Sequence, residues 1–331
     1  MVLRAWKILL HLLEGSIMLE NNLVKSPLNY IGGKQKILPQ MLPLFPKNIN
    51  LFVDLFAGGG NVGLNVNAKK IILNDNLTYL IDLYKTLQKE PYSEIISYIK
   101  STIEKYNLSI TNEEGYKEFR QAYNQNKKSL DLIILTSYSF NHQIRFNNSH
   151  QFNNPFGKNR SYFNPSIERK LNLFVNALKN KNILLSNKSF ENLDLSYLNK
   201  NDFVYCDPPY LITTGTYNDG KRGFKGWGTK EEKDLLKLLD YLTKKEVKFA
   251  LSNVLEHNNK ENKLLKEWVN NNDKYMVNFI NKDYSNSNYQ KKNKSPTIEV
   301  LITNYIPEEP ELAQSSLFNE RENTDTLIGG E

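Results

Sequence analysis

Cysteine occurs once in this 331-residue sequence, at Cys206, so no internal disulfide can form and the chain suits a reducing compartment. Histidine is almost as scarce. His11, His142, His150 and His257 do not fall beside acids or cysteine at ligand spacing, so no catalytic metal is expected. Apolar runs are short and interrupted by charge, which excludes a membrane span and gives a cytoplasmic reading with no membrane partner. The H-x-E…P-C-x-x-C signature of nucleobase deaminases is missing. A phosphate-binding P-loop is also missing, because Gln35 rather than Ser or Thr follows Lys34. There is no internal repeat.

What is plentiful is positive charge, unevenly placed. The net charge is +7, yet the tail from Pro307 onward holds seven acids and one base, leaving residues 1–306 at +13. A basic body is what phosphate binding and steering onto DNA need. A lysine-rich but ordinary surface would read the same way. At the other end, residues 1–17 join Arg4 and Lys7 to a short apolar run broken by His11, with no small-residue cleavage site. They are read as a mis-annotated extension, with translation starting at Met18, because Glu14-Gly15 can be encoded by a purine-rich string resembling a ribosome-binding site.

From Leu51 the pattern becomes α/β. Residues 50–56 are an apolar run that ends in Asp54-Leu55-Phe56 and passes into Ala57-Gly58-Gly59-Gly60, a strand, a glycine turn and a helix. A second strand at 69–75 ends in Asp75. Residues 77–140 keep helical spacing without a strand, and 141–164 read as a hairpin or ordered loop. Further strands are expected at 182–186, 202–206, 247–252, 275–280 and 297–305, with helices at 166–179, 229–245 and 259–271. This is a Rossmann-like α/β fold: a mostly parallel sheet with helices on both faces. The implied division is a catalytic domain at 18–76 and 166–306, a helical insertion at 77–165, and an acidic, disordered tail at 307–331.

The strongest chemical signal is Asp207-Pro208-Pro209-Tyr210, directly after the buried-strand run 203–206. In an open α/β sheet, ligands gather at the carboxyl ends of strands. An adenine amine is a poor nucleophile because its lone pair is delocalised into the ring. The Asp207 carboxylate and the Pro208 carbonyl can accept its two hydrogens and aim the lone pair at a methyl donor. Tyr210 offers a flat face for stacking an extruded base. The glycine turn after Asp54 and the acid Asp75 suit a nucleotide-like cofactor. Gly58, Gly60 and Gly63 nearly complete a G-x-G-x-x-G fingerprint, so at this point a nicotinamide enzyme stays open. The segment Asn29-Tyr30-Ile31-Gly32-Gly33-Lys34 lies ahead of the first strand, where a dinucleotide fold would simply begin. A loop from Tyr284 through Ser295 holds Lys291 and Lys292, read either as a solvated loop or as a phosphate contact. Cys206 reads as a buried strand residue rather than a nucleophile.

Taken together, residues 25–305 resemble the Dam-like adenine-specific (N6) DNA methyltransferases. The resemblance rests on the segment at 29–34, the glycine turn, the DPPY motif, and a string from Arg145-Phe146-Asn147 through Asn153-Asn154-Pro155-Phe156-Gly157 similar to that family's DNA-reading hairpin. It implies S-adenosyl-L-methionine as cofactor, contacted by Tyr30, Lys34, Asp75 and Asp207, with Asp54, Phe56 and Gly58 shaping the pocket and Phe190 packing the cofactor adenine. It makes 77–165 a DNA-recognition insertion and implies contacts to double-stranded DNA from Asn29, Asn141, Gln143, Arg145, Asn147 and Pro155. The protein would be a monomer in solution and the modification enzyme of a type II restriction-modification system. GATC-reading members carry lysine where this chain has Asn29, and an apolar residue where it has Gln143, whereas Arg145 persists. The expected target is a short palindrome, CATG ahead of GATC. Cytosine-N4 methylation, RNA or protein-amide methylation and non-catalytic DNA binding are the alternatives. The tail segment Gln314-Ser315-Ser316-Leu317-Phe318 resembles the peptides with which bacterial DNA enzymes dock on the sliding clamp, which makes the clamp a further expected partner.

Overall fold

Phe203, Val204, Tyr205 and Cys206 are all buried, so this strand has its two faces covered and must lie inside a sheet. The computed structural model describes residues 23–30, 32–213, 226–280 and 297–308. The N-terminal extension, Lys291 and Lys292, and the clamp-like peptide at 314–318 lie outside the described residues. In chain order the strands are β1 (Leu51–Asp54), β2 (Lys70–Asn74), β3 (Ile183–Ser186), β4 (Phe203–Cys206), β5 (Lys248–His257), β6 (Lys260–Glu261), β7 (Met276–Ile280) and β8 (Ile298–Thr303). The sheet order is β3-β2-β1-β4-β5-β8-β7. The pairs from β3 through β5 are parallel, and β8 runs antiparallel to both its neighbours. The expected mostly parallel α/β sheet is what forms.

Side chains alternate between two cores. Phe52, Phe203 and Tyr205 face one, whereas Val53, Val204 and Cys206 face the other. The helices are α1 (Leu38–Met41), α2 (Thr78–Lys89), α3 (Tyr92–Lys105), α4 (Glu113–Asn126), α5 (Ser129–Tyr138), α6 (Pro165–Asn180), α7 (Thr229–Lys244) and α8 (Lys263–Asn270). The first core takes α1 through α6 and the second takes α7 and α8. Every residue of α5 from Asp131 to Tyr138 is buried, as an apolar sequence without a polar face requires. Capping sets the boundaries. Asn164 accepts from the Ile167 amide at 3.0 Å ahead of Pro165, and Asn112 accepts from the Gly115 amide at 3.1 Å. Among the described residues, no helix is long and apolar enough to cross a membrane.

One expectation fails locally. The helix predicted over 259–271 begins only at Lys263. Asn258 and Asn259 both adopt positive φ, 49° and 62°, and close a two-residue hairpin that lays Lys260 opposite His257. Asparagine tolerates that backbone better than most residues, and paired positive φ values are what a tight hairpin turn requires. Asn262 then caps α8 by accepting from the Leu265 amide at 3.1 Å.

The order of the central strands positions the chemistry. The chain leaves β1 towards β2 and β3 on one side, then returns to β4 on the other. The connections leaving the carboxyl ends of β1 and β4 therefore run to opposite sides of the sheet, which makes this a topological switch point, where such sheets bind their ligands. Asp54 ends β1 opposite Tyr205, two residues before Asp207.

Candidate active site

Asp207 emerges from β4 with its side chain 18% exposed, and Lys34 meets it. The Lys34 Nζ is 2.7 Å from Asp207 Oδ1 and donates to the Gly32 carbonyl at 2.8 Å. The Tyr210 hydroxyl donates to the same Oδ1 at 3.1 Å, and the Lys34 ammonium lies 5.1 Å from the Tyr210 ring centroid. Both contacts fall on Oδ1, and Oδ2 carries neither. Burial pushes the Asp207 carboxyl above its ordinary range, and the Lys34 ammonium opposes the rise. Pro208 is buried behind it, whereas Pro209 is exposed.

The glycine turn beside this carboxylate is built around Tyr30. Gly58 has φ +47°, and a Cβ there would come within 3.0 Å of the Tyr30 ring, so a side chain would be strained and crowded. Asp75 accepts the Gly58 amide at 2.9 Å and the Leu77 amide at 2.8 Å, and the Tyr84 hydroxyl donates to the Gly58 carbonyl at 2.7 Å. Asp54 accepts the Gly63 amide through Oδ2 at 3.2 Å, while its buried Oδ1 has no partner among the described residues. Burial and the charge of Asp207 push the Asp54 carboxyl well up. Phe56, Phe190 and Trp227 form a triangle of rings with each centroid 5.6 Å from the other two. The Asp54 oxygen without a partner among the described residues, the acid Asp75 under the glycine turn and the aromatic cluster together fit a cofactor that is polar at one end and carries a flat base at the other.

The hairpin presents its expected readers in alternation. Ile144 and Phe146 are buried, whereas Gln143, Arg145 and Asn147 lie between and beyond them with more exposure, and Asn141 and Pro155 are exposed. Asn154 is buried and donates to the carbonyls of Phe140 and Gln143, both at 2.9 Å. From α4, Tyr116 and Arg120 donate to the Asn154 carbonyl at 2.8 and 3.1 Å, and Asn124 exchanges hydrogen bonds with both backbone groups of Phe152. The Lys127 ammonium lies 4.8 to 5.7 Å from the ring centroids of Tyr123, Tyr79 and Phe146. Asn147 also has a local task, accepting from the amides of Ser149 and Gln151 to close the hairpin tip. Asn29 reaches the hairpin and donates to the Asn141 carbonyl at 2.8 Å.

Three contributors escaped the sequence reading. Glu299 on β8 accepts the Tyr210 hydroxyl at 3.2 Å and lies 3.9 Å from the Lys34 ammonium. Its signal was available, as the one acid in the apolar strand Ile298–Thr303. Trp227 is fixed by Glu232, which accepts its indole N–H at 2.7 Å, and no motif marks it. Tyr84 sits on an apolar helical face, where an aromatic reads as core. Cys206 is fully buried, and that burial pushes its thiol up, which suits packing and not nucleophilic attack.

The sequence pattern of the D12 class N6 adenine-specific DNA methyltransferases matches residues 30–288. The chain is 53% identical over 285 residues to the type II methyltransferase M.FokI of Planomicrobium okeanokoites, covering 86% of this chain and 43% of that protein. It is 50% identical over 282 residues to the modification methylase StsI of Streptococcus sanguinis, covering 85% and 43%. The match to the DNA adenine methylase of Escherichia coli K12 is 24% identical over 284 residues and covers 85% and 95%. The chain thus spans less than half the length of the first two relatives, and nearly the whole length of the third. A carboxylate at a strand end beside a glycine turn, an aromatic slot and a braced hairpin agree with that match, and this chain belongs to the D12 class N6 adenine-specific DNA methyltransferase family.

Proposed function

We propose that this chain methylates the N6 amine of adenine in double-stranded DNA, with S-adenosyl-L-methionine as methyl donor, as the modification activity of a type II restriction-modification system. The observation that carries the reading is Asp207, held on one oxygen at the switch point of the sheet in a chain of this family. The donor supplies an electrophilic methyl group on a positively charged sulfur. Asp75 and the Gly58 turn would hold the sugar, and Phe56, Phe190 and Trp227 the base. Lys34 and Tyr30 would close over the amino-acid end, with Asp54 beneath the turn.

The protein's own part is to bind and orient. Asp207 Oδ2 accepts one hydrogen of the amine and the Pro208 carbonyl the other, which directs the nitrogen lone pair at the methyl group. The Tyr210 ring would stack the extruded base. As the nitrogen gains positive charge, the negative charge of Asp207 stabilises it, and the methylated nitrogen then gives up its extra proton to water. No covalent enzyme intermediate is required. The hairpin would read the duplex, with Arg145 suited to the O6 and N7 acceptors of guanine. The finest part of the reading is a short palindromic target, CATG ahead of GATC. It rests on Arg145, Gln143 and Asn29 alone, and Asn29 also serves the hairpin backbone. Family membership favours adenine over the cytosine-N4 alternative, and a non-catalytic DNA binder gives no role to a carboxylate held in this way.

The test is to express the chain in a host lacking adenine methylation and sequence the modified bases of its DNA. N6-methyladenine at one short motif, lost with Asp207→Ala, is the expected result. Unmodified DNA, together with purified protein that transfers no labelled methyl group to duplex DNA, would overturn the proposal.

A further inference from the structure

Glu299 lies on β8, two strands from the DPPY motif, and its side chain is 1% exposed. Burying a carboxylate in an apolar strand is costly unless it is paired. Its pairing is unusual, because two of its partners, Tyr210 and Lys34, are also those of Asp207. The Tyr210 hydroxyl stands 3.2 Å from Glu299 Oε1 and 3.1 Å from Asp207 Oδ1. The Lys34 ammonium stands 3.9 Å from the first and 2.7 Å from the second. Two carboxylates from different strands therefore face one another across a single hydroxyl and a single ammonium. A hydroxyl has one proton to donate, so neither carboxylate holds Tyr210 alone.

This arrangement has a consequence for Asp207. Paired only with Lys34, it would be half of a neutral ion pair and would present little net charge to the amine. A second carboxylate on the same ammonium draws on the charge that would otherwise neutralise Asp207. Its own negative charge weighs more in a buried site than in water, and it lies near where the amine becomes positive. We infer that Glu299 is a positioning residue for methyl transfer, which through Tyr210 and Lys34 fixes Asp207 by Oδ1 and adds its charge beside it. The inference rests on Asp207 as the holder of the amine.

Among the described residues, the charged and titratable groups around Asp207 include Lys34 ahead of α1, Asp54 on β1, Tyr205 and Cys206 on β4, Tyr210, and Glu299 on β8. Among them Glu299 favours the protonated form of Asp207 and Lys34 the charged form. Removing the Glu299 charge should therefore lower the Asp207 titration.

The experiment uses the full chain with Glu299→Gln, which keeps shape and an acceptor oxygen, and Glu299→Asp, which keeps charge. Single-turnover methylation of a duplex is followed from pH 5 to 9, with cofactor and duplex affinity, melting temperature and the carboxyl NMR titration of Asp207 measured alongside. The expected Glu299→Gln protein melts close to wild type and binds both ligands within about threefold. It transfers methyl at least about tenfold more slowly, and both its acid limb and its Asp207 titration move to lower pH. Glu299→Asp should return both towards wild type. An unmoved Asp207 titration, or a rate loss that follows melting temperature alone, would overturn this inference and leave the proposed function standing. A wild type that transfers no methyl, or an active Asp207→Ala, would overturn both.

Discussion

Asn29 and Asn141 stand 112 positions apart and are joined by a 2.8 Å hydrogen bond, from the Asn29 amide nitrogen to the Asn141 carbonyl. The residue just before the Tyr30 segment thus grips the start of the hairpin proposed to read DNA, at a residue whose φ of 55° is left-handed. Asn29→Ala should raise the KM for duplex DNA several-fold and leave cofactor affinity unchanged. The bond is exposed, so the stability cost should stay below about 1 kcal/mol. Steady-state kinetics with separate titrations of duplex and cofactor check this. An equal loss of cofactor affinity would show that Asn29 serves the Tyr30 segment and not the hairpin.

Asp207→Ala should abolish methyl transfer while the protein still melts cooperatively. Asp207 lies past the end of β4 and supports no strand pairing, and Glu299 stays 3.9 Å from the Lys34 ammonium left behind, so the fold should survive its removal. Transfer of labelled methyl groups to duplex DNA within tenfold of wild type would exclude it as the amine holder.

Tyr210→Phe should slow transfer several-fold, and Tyr210→Ala should do worse. The first removes the hydroxyl shared by Asp207 and Glu299 and keeps the ring. The second also removes a stacking surface worth ~1–3 kcal/mol per base. Single-turnover rates on one duplex separate the two contributions, and equal rates for the two variants would argue against stacking.

Much of this site can be read from local sequence because its parts are contiguous. Asp207 through Tyr210 follow a buried strand, and Gly58 sits where only glycine is comfortable beside Tyr30. The alternation of Gln143 and Arg145 with Ile144 and Phe146 is visible as a pattern of period two. What escaped is what the sheet order assembles. Glu299 reaches Tyr210 because β8 inserts beside β5, an adjacency that no local pattern encodes. Trp227 completes a triangle with Phe56 and Phe190, which come from three separate loops. The helix boundary at Lys263 was missed because two asparagines at positive φ divert the backbone, and single-residue turn chemistry is weak against helical spacing.

Asp54→Asn should stabilise the free protein at neutral pH and weaken cofactor binding. Burial holds the Asp54 carboxyl well above its ordinary value of 3.8, and one oxygen has no partner among the described residues. The native state therefore binds a proton more readily than the unfolded chain. Linkage then gives stability that falls as pH rises from 3.8 through the raised native value. The wild type should melt higher as pH is lowered across that window, and Asp54→Asn should lose this component. Calorimetry of both proteins over the range checks the sign. A slope unchanged by the substitution would mean that Asp54 is paired in solution.

Arg145→Ala should relax discrimination at one base pair by ~1–3 kcal/mol and leave the rate on non-target duplex nearly unchanged. Competition between duplexes that differ at single positions reads this directly. A uniform fall on every sequence would instead mark Arg145 as a phosphate contact.

Phe52 and Phe203 from the sheet, Tyr116, Phe119 and Tyr123 from α4, and Phe146 and Phe152 from the hairpin belong to one continuous apolar core. The proposed reading element is thus not a cassette. Exchange of residues 77–165 between relatives would bring together halves of two differently packed interiors, and such chimaeras should fold poorly unless the partner face of the sheet travels with them. If the hairpin sets the target as proposed, new preferences are open to inheritance one outward-facing residue at a time, and closed to wholesale transplantation.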